Sequence, residues 1–206
     1  MLSPTTYRTL AQPAIGEYKD KGSKFLAYVR AVFTPDDVRF FLDEIKELHP
    51  KATHHCYAYR LGLDKLQHFR ANDDGEPSGS AGRPILGQID SYGLSNVMVI
   101  VVRYYGGVKL GVPGLIAAYK TATIDALGQA VIEQRPVLCY YRLQFPYLQM
   151  NSVMQFIKRE HIGLLKQIFD NETCSVEICF PQAEQPRMVT QMSDIEHIKT
   201  ELLYVA

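Results

Sequence analysis

The run Val97-Met98-Val99-Ile100-Val101-Val102 is apolar at every position. Successive strand residues point to opposite faces, so a strand without a polar face is buried on both sides. A chain that carries such a run must fold around it as a central strand. The composition allows this: 47% of the 206 residues are hydrophobic and 21% charged, an ordinary globular balance with enough chain for a real core. Lys+Arg and Asp+Glu both number 22, so the net charge is zero. No global field draws the molecule to nucleic acid or to an anionic membrane, and binding of either kind has to come from a local patch.

Around the central run the pattern predicts an α+β chain. Residues 25–33 read as a strand, with Phe25, Ala27, Val29, Ala31 and Phe33 on one apolar face, paired through a Gly-Ser-Lys turn with 14–20. Thr34, Pro35 and Asp37 form the start of a helix, with a capping box. Val38, Phe41, Leu42, Ile45 and Leu48 then form its buried stripe, and His49-Pro50 ends it. Residues 54–61 read as a strand, 70–84 as a long polar loop, 84–91 as a short helix and 103–114 as a glycine-rich turn. The small-residue stripe from Leu115 to Val131 suits a helix lying close on a sheet. Pro136 marks a boundary between domains 1–135 and 136–206. Beyond it come strand 137–145, helix 148–160, strands 162–169 and 173–180, helix 185–194 and strand 198–205. Gly163 and Asn171-Glu172 serve as punctuation and Pro186 fits a first helical turn. That β-α-β-β-α-β order is the ferredoxin-like arrangement.

The cysteines, Cys56, Cys139, Cys174 and Cys179, form no CxxC pair. The start of the chain lacks a basic segment followed by an apolar run, and no apolar run is long enough to span a membrane. These features predict a cytoplasmic protein with free thiols and no membrane partner.

Three stretches carry candidate chemistry. Asp73, Asp74, Gly75 and Glu76 gather three carboxylates, which suit acid–base work, a metal or pairing with arginine; Asp-Gly turn chemistry explains part of the run. Of His54 and His55, only one faces any given site, and Cys56 alternates with Ala58 as a core residue. No ligand pair has metal spacing, so neither a metal nor another cofactor is expected. Arg103, Tyr104, Tyr105, Gly106, Gly107, Lys109 and Gly111 lie between the buried strand and a helix start. There, backbone N–H groups, two cations and stacking rings favour an anionic partner, although the spacing matches neither common nucleotide motif. A tight turn with tyrosines packed on the core explains the same residues without a ligand. No G-x-S-x-G elbow is present.

His54-His55-Cys56, the stretch 73–86 and the stretch 101–115 together resemble the signatures of the IMPACT family, in its bacterial YigZ-like branch. Pro113 and Ser80 depart from residues common in that family. The resemblance implies an N-terminal domain like domain IV of elongation factor G and the second domain of a ribosomal protein. It implies a ferredoxin-like C-terminal domain like domain V of that factor. It also implies a non-enzymatic regulatory protein of translation, acting through RNA, the ribosome or a translation-related protein, since the family's eukaryotic namesake modulates translation initiation. The binding residues would be His54, Asp73, Asp74, Gly75, Glu76, Arg103, Tyr104, Tyr105, Gly106, Gly107, Lys109 and Gly111. The rival reading is a hydrolase-type enzyme with His54, Asp73, Asp74, Glu76 and Arg103 in one pocket.

Overall fold

The computed structural model describes residues 5–63, 68–169 and 173–206. It divides into two compact units, one spanning Tyr7–Arg135 and the other containing Pro136–Ala206 with the start of the chain.

In the larger unit, the five-stranded sheet has the order β2-β3-β6-β4-β5, with every neighbouring pair antiparallel. The strands are β2 (Ala14–Asp20), β3 (Ser23–Ala31), β4 (His54–Leu61), β5 (His68–Asn72) and β6 (Val97–Tyr104). β1 (Thr6–Leu10) and β7 (Ile132–Pro136) form a separate two-stranded sheet. The all-apolar run sits at the centre. Val97, Val99 and Val101 face one hydrophobic cluster with α2 (Gly82–Ser91) and α3 (Gly111–Gln129). Met98, Ile100 and Val102 face a second cluster, with Phe41 and Ile45 of α1 (Pro35–Leu48). The strand thus needs a helical layer on each side, and has them.

α1 begins with the expected reciprocal cap: Asp37 N donates to Thr34 Oγ1, and the Asp37 carboxylate accepts from Thr34 N. α3 uses its small residues to approach the sheet. Ala118, Ala122 and Ala126 are fully buried, and a Cβ on Gly16 of β2 would collide with the Ala126 backbone.

The smaller unit runs β8 (Leu138–Pro146), α4 (Met150–Arg159), β9 (Gly163–Phe169), β10 (Thr173–Pro181), α5 (Gln185–Ser193) and β11 (Lys199–Val205). Its antiparallel sheet has the order β11-β8-β10-β9. Leu143, Phe145, Val176 and Ile178 pack there with Val153, Phe156, Met188 and Met192 of the two helices.

Several expectations need correction. β3 ends at Ala31; Val32 turns into the α1-side cluster, and Phe33 is 47% exposed under the Arg135 guanidinium rather than in the core. The stretch 70–84 is not one loop, because β5 takes its first three residues and α2 begins at Gly82, leaving 73–81. β5 carries no buried residue, so it has no apolar alternation to betray it. The turn 103–114 is shorter too, since β6 runs to Tyr104 and α3 starts at Gly111; Pro113 therefore lies in the first turn of a helix, where a missing N–H costs little. After α4 the left-handed residue is His161 (φ 52°), not Gly163. Gly163 instead lets β9 pass close to Cys179, whose Sγ would lie 2.6 Å from an added Cβ. The Asn171-Glu172 turn lies outside the described residues.

Candidate functional site

Strand register alone assembles the floor of the site. Arg103 of β6 pairs with Phe25 of β3 on one side and with His54 of β4 on the other. All three share the α2/α3 side of the sheet with Val101, Cys56 and Ala58. The Arg103 guanidinium lies 5.5 Å from the Phe25 ring centre and 5.5 Å from that of Tyr105.

The acidic turn supplies the counter-charge. Asp74 and Gly75 both have positive φ, and Glu76 N donates to Asp73 O at 2.9 Å, the pattern of a type I′ turn. Glycine meets the second of those angles without strain. The turn drops Glu76 into the interior, where its Oε1 accepts from Arg103 Nη1 at 2.5 Å and from the Tyr119 hydroxyl of α3 at 2.8 Å. The Glu76 and Arg103 side chains are 4% and 7% exposed, so this is a buried charge-assisted bond. Arg103 Nε is buried without an acceptor among the described residues.

Asp73 and Asp74 do different work. Asp73 accepts from the backbone N–H groups of Gly79, Ala81 and Gly82 and so caps α2, whose N-cap residue, Ala81, has no side-chain cap of its own. Burial raises the Asp73 carboxyl, but the donors Gly79, Gly82 and Ala81 together outweigh it and leave it below the usual carboxylate range. Asp74 Oδ2 accepts from His55 N at 2.6 Å. The expectation that these two carboxylates face a pocket is therefore corrected: both are turned onto backbone. The hydrolase constellation is reduced to His54, Glu76 and Arg103.

His54 Nδ1 lies 2.7 Å from the Asp74 carbonyl, which only accepts, so Nδ1 carries a hydrogen and Nε2 is the ring nitrogen left without a hydrogen-bond partner among the described residues. That Nε2 is 3.9 Å from Glu76 Oε1, beyond hydrogen-bond length. His55 points to the opposite face, with its Nε2 3.2 Å from the His49 carbonyl. Burial pushes the Cys56 thiol far above its ordinary value, and the same cause, with Cys56 and Glu76 adding, raises Tyr119; neither is a nucleophile at neutral pH.

The basic loop divides as well. Tyr104 sits on the α1 side, where its hydroxyl lies 2.9 Å from His49 Nδ1, while Tyr28 meets His49 Nε2 at 2.6 Å. Tyr104 is thus no part of the site; strand alternation sends it away from Arg103. Tyr105, beyond the strand end, is 47% exposed on the cleft. Gly106 N donates to Ser23 Oγ, and a Cβ on Gly106 would collide with the Gly22 backbone. Gly107 (φ 87°) and Gly111 (φ 73°) take left-handed angles. These glycines shape the turn. Lys109 is exposed and has no ion pair among the described residues.

Arg103, His54, Glu76, Tyr105, Lys109 and the first residues of α3 enclose a cleft of about 500 Å³. Pro77, Leu110, Val112 and Leu115 give it largely apolar walls. α3 has 19 residues and no side-chain cap, and Gly111, Val112 and Leu115 of its first turns line the cleft, which places the positive end of the helix dipole at its wall. The sequence reading omitted Tyr119 and these apolar walls. A tyrosine in a buried stripe of alanines needs a partner for its hydroxyl, and that was the available signal. Among the described residues no group of three or more His, Cys, Asp and Glu side chains is placed to hold a metal, and no helix is long and apolar enough to cross a membrane.

Residues 21–127 match the family model described as Impact N-terminal domain. The chain is 31% identical over 198 residues to IMPACT family member YvyE of Bacillus subtilis, covering 96% of this chain and 90% of that protein. It is 38% identical over 96 residues to Protein IMPACT of Mus musculus, covering 45% of this chain and 30% of that one. A solved structure titled as that of a hypothetical protein matches with a TM-score of 0.77 at 25% identity, covering 100% of this chain and 99% of the other.

Proposed function

The chain belongs to the IMPACT family, and on that premise we propose that it is a non-enzymatic, cytoplasmic regulatory protein of translation that engages its partner through the cleft at the start of α3. The link to translation comes from the family resemblance. The likeness of the larger unit to elongation factor G domain IV, and of the smaller ferredoxin-like unit to domain V, is part of the same reading and points to the ribosome, its RNA or a translation-related protein as partner. One observation supports the cleft above all: Arg103 is buried with an unused Nε beside an uncapped helix start. An anionic group of the partner in the cleft would lie beside this guanidinium. Lys109 adds charge at the rim and Tyr105 an exposed ring.

The test is crosslinking in cells with wild-type protein and Lys109→Glu, identifying both RNA and protein. Lys109 is exposed, so the substitution leaves folding intact. Ribosomal or other translation components should crosslink to the wild type and be depleted in the variant. A profile without such components, or one the substitution leaves unchanged, would remove the reading.

A further inference from the structure

The balance of charge in the cleft says which anion fits. Among the fixed charges of the cleft, Glu76 cancels Arg103 at 2.5 Å. The surplus is Lys109, assisted by the partial positive charge, about half a unit, at the start of α3. Such a surplus suits one negative charge. A phosphate dianion or a nucleic-acid strand would bring more charge than the site neutralises. The walls add a second constraint, because Pro77, Leu110, Val112 and Leu115 offer burial to an apolar group and nothing to a ribose or a second phosphate.

We infer that the cleft binds a single carboxylate carried on an apolar residue, as at the C-terminal end of a peptide. This inference rests on the reading of the cleft as the partner-binding surface. The carboxylate meets Arg103 and Lys109 at the positive end of α3, and the apolar side chain lies against Val112 and Leu115. His54, whose Nδ1 is committed to the Asp74 carbonyl, leaves Nε2 as the ring nitrogen for the ligand's polar backbone within the same cleft. Arg103 suits this role because its planar fork keeps donors free after Nη1 is committed to Glu76. A free apolar acid shares the chemistry, and the experiment separates it from a peptide.

The whole chain is titrated calorimetrically with acetyl-Gly-Ser-Leu and acetyl-Gly-Ser-Phe, with their C-terminal amides, with N-acetyl-leucine and with inorganic phosphate. The free-acid peptides should bind about tenfold or more tightly than the amides. Lys109→Glu should weaken the acids about fivefold and leave the residual binding of the amides unchanged. N-acetyl-leucine binding as well as the peptides sustains the carboxylate site and assigns it to a free acid; weaker binding assigns it to a peptide end. Amides that bind as tightly as acids, phosphate that displaces the peptides at equal concentration, or acids that do not bind at all would each overturn the inference. If crosslinks sensitive to Lys109→Glu persist in that case, only the ligand assignment falls; if they are also absent, the reading of the cleft falls with it.

Discussion

Glu76 joins two elements by one oxygen, accepting from Arg103 of β6 and Tyr119 of α3. Removing it leaves a buried guanidinium and a buried hydroxyl unpaired. Glu76→Ala should therefore cost about 3–5 kcal/mol in urea unfolding, while Glu76→Gln, which keeps an acceptor, should cost less. Asp73 is the other residue whose removal reaches beyond itself, because three N–H groups at the start of α2 depend on it. Asp73→Asn should lower stability by about 1–2 kcal/mol at neutral pH. The sign follows from its lowered carboxyl: its contribution is complete above the ordinary aspartate range and is lost as pH falls through the folded value. The stability difference between wild type and variant should then shrink in acid. A difference that stays constant down to about pH 2 would contradict this capping role. The acidic turn and Arg103 were both legible in the sequence as chemistry. Their division of labour was not, because three adjacent carboxylates look alike until the turn geometry directs each one. Applying strand alternation to Arg103 and Tyr104 as well as to His54 and His55 would have separated those two in advance.

At the scale of elements, Gly106 is the point where two turns touch. An added methyl group meets the Gly22 backbone, which has no flexible side chain to move aside. Gly106→Ala should destabilise the larger unit by more than about 2 kcal/mol, measured by thermal melting, whereas Gly87→Ala in α2, where nothing stands within 4 Å, should not. On the other face of the sheet, His49 at the end of α1 bridges Tyr28 of β3 and Tyr104 of β6. Burial holds both His49 and His55 below the ordinary imidazole range, with His55 and Lys24 adding to the effect on His49. The unfolded chain then takes up protons first as pH falls, so stability is complete above the ordinary histidine range and declines below it. The melting temperature should drop between about pH 7.5 and about pH 5.5, and His49→Gln should flatten the drop; an equally steep drop in the variant would exclude His49 as its source. Elements with strong periodicity or a cap were readable, as α1 and β6 were. β5 was not, because an exposed edge strand carries no burial signal.

For the whole molecule, zero net charge has a measurable consequence. A partner held by one carboxylate should show a salt slope near one, where a strand neutralised at many phosphates would show a slope of several units. Binding to ribosomes titrated with salt distinguishes the two, and a steep slope would return the preference to RNA. The two-faced strand β6 adds a final point. It lies between β3 and β4, with helices covering both of its faces, and Arg103 is its penultimate residue. Its amides should be the last in the larger unit to exchange with deuterium. Arg103 is thus anchored in the stiffest part of the scaffold, and on the proposed reading an incoming partner would have little left to organise at the base of the cleft before it binds.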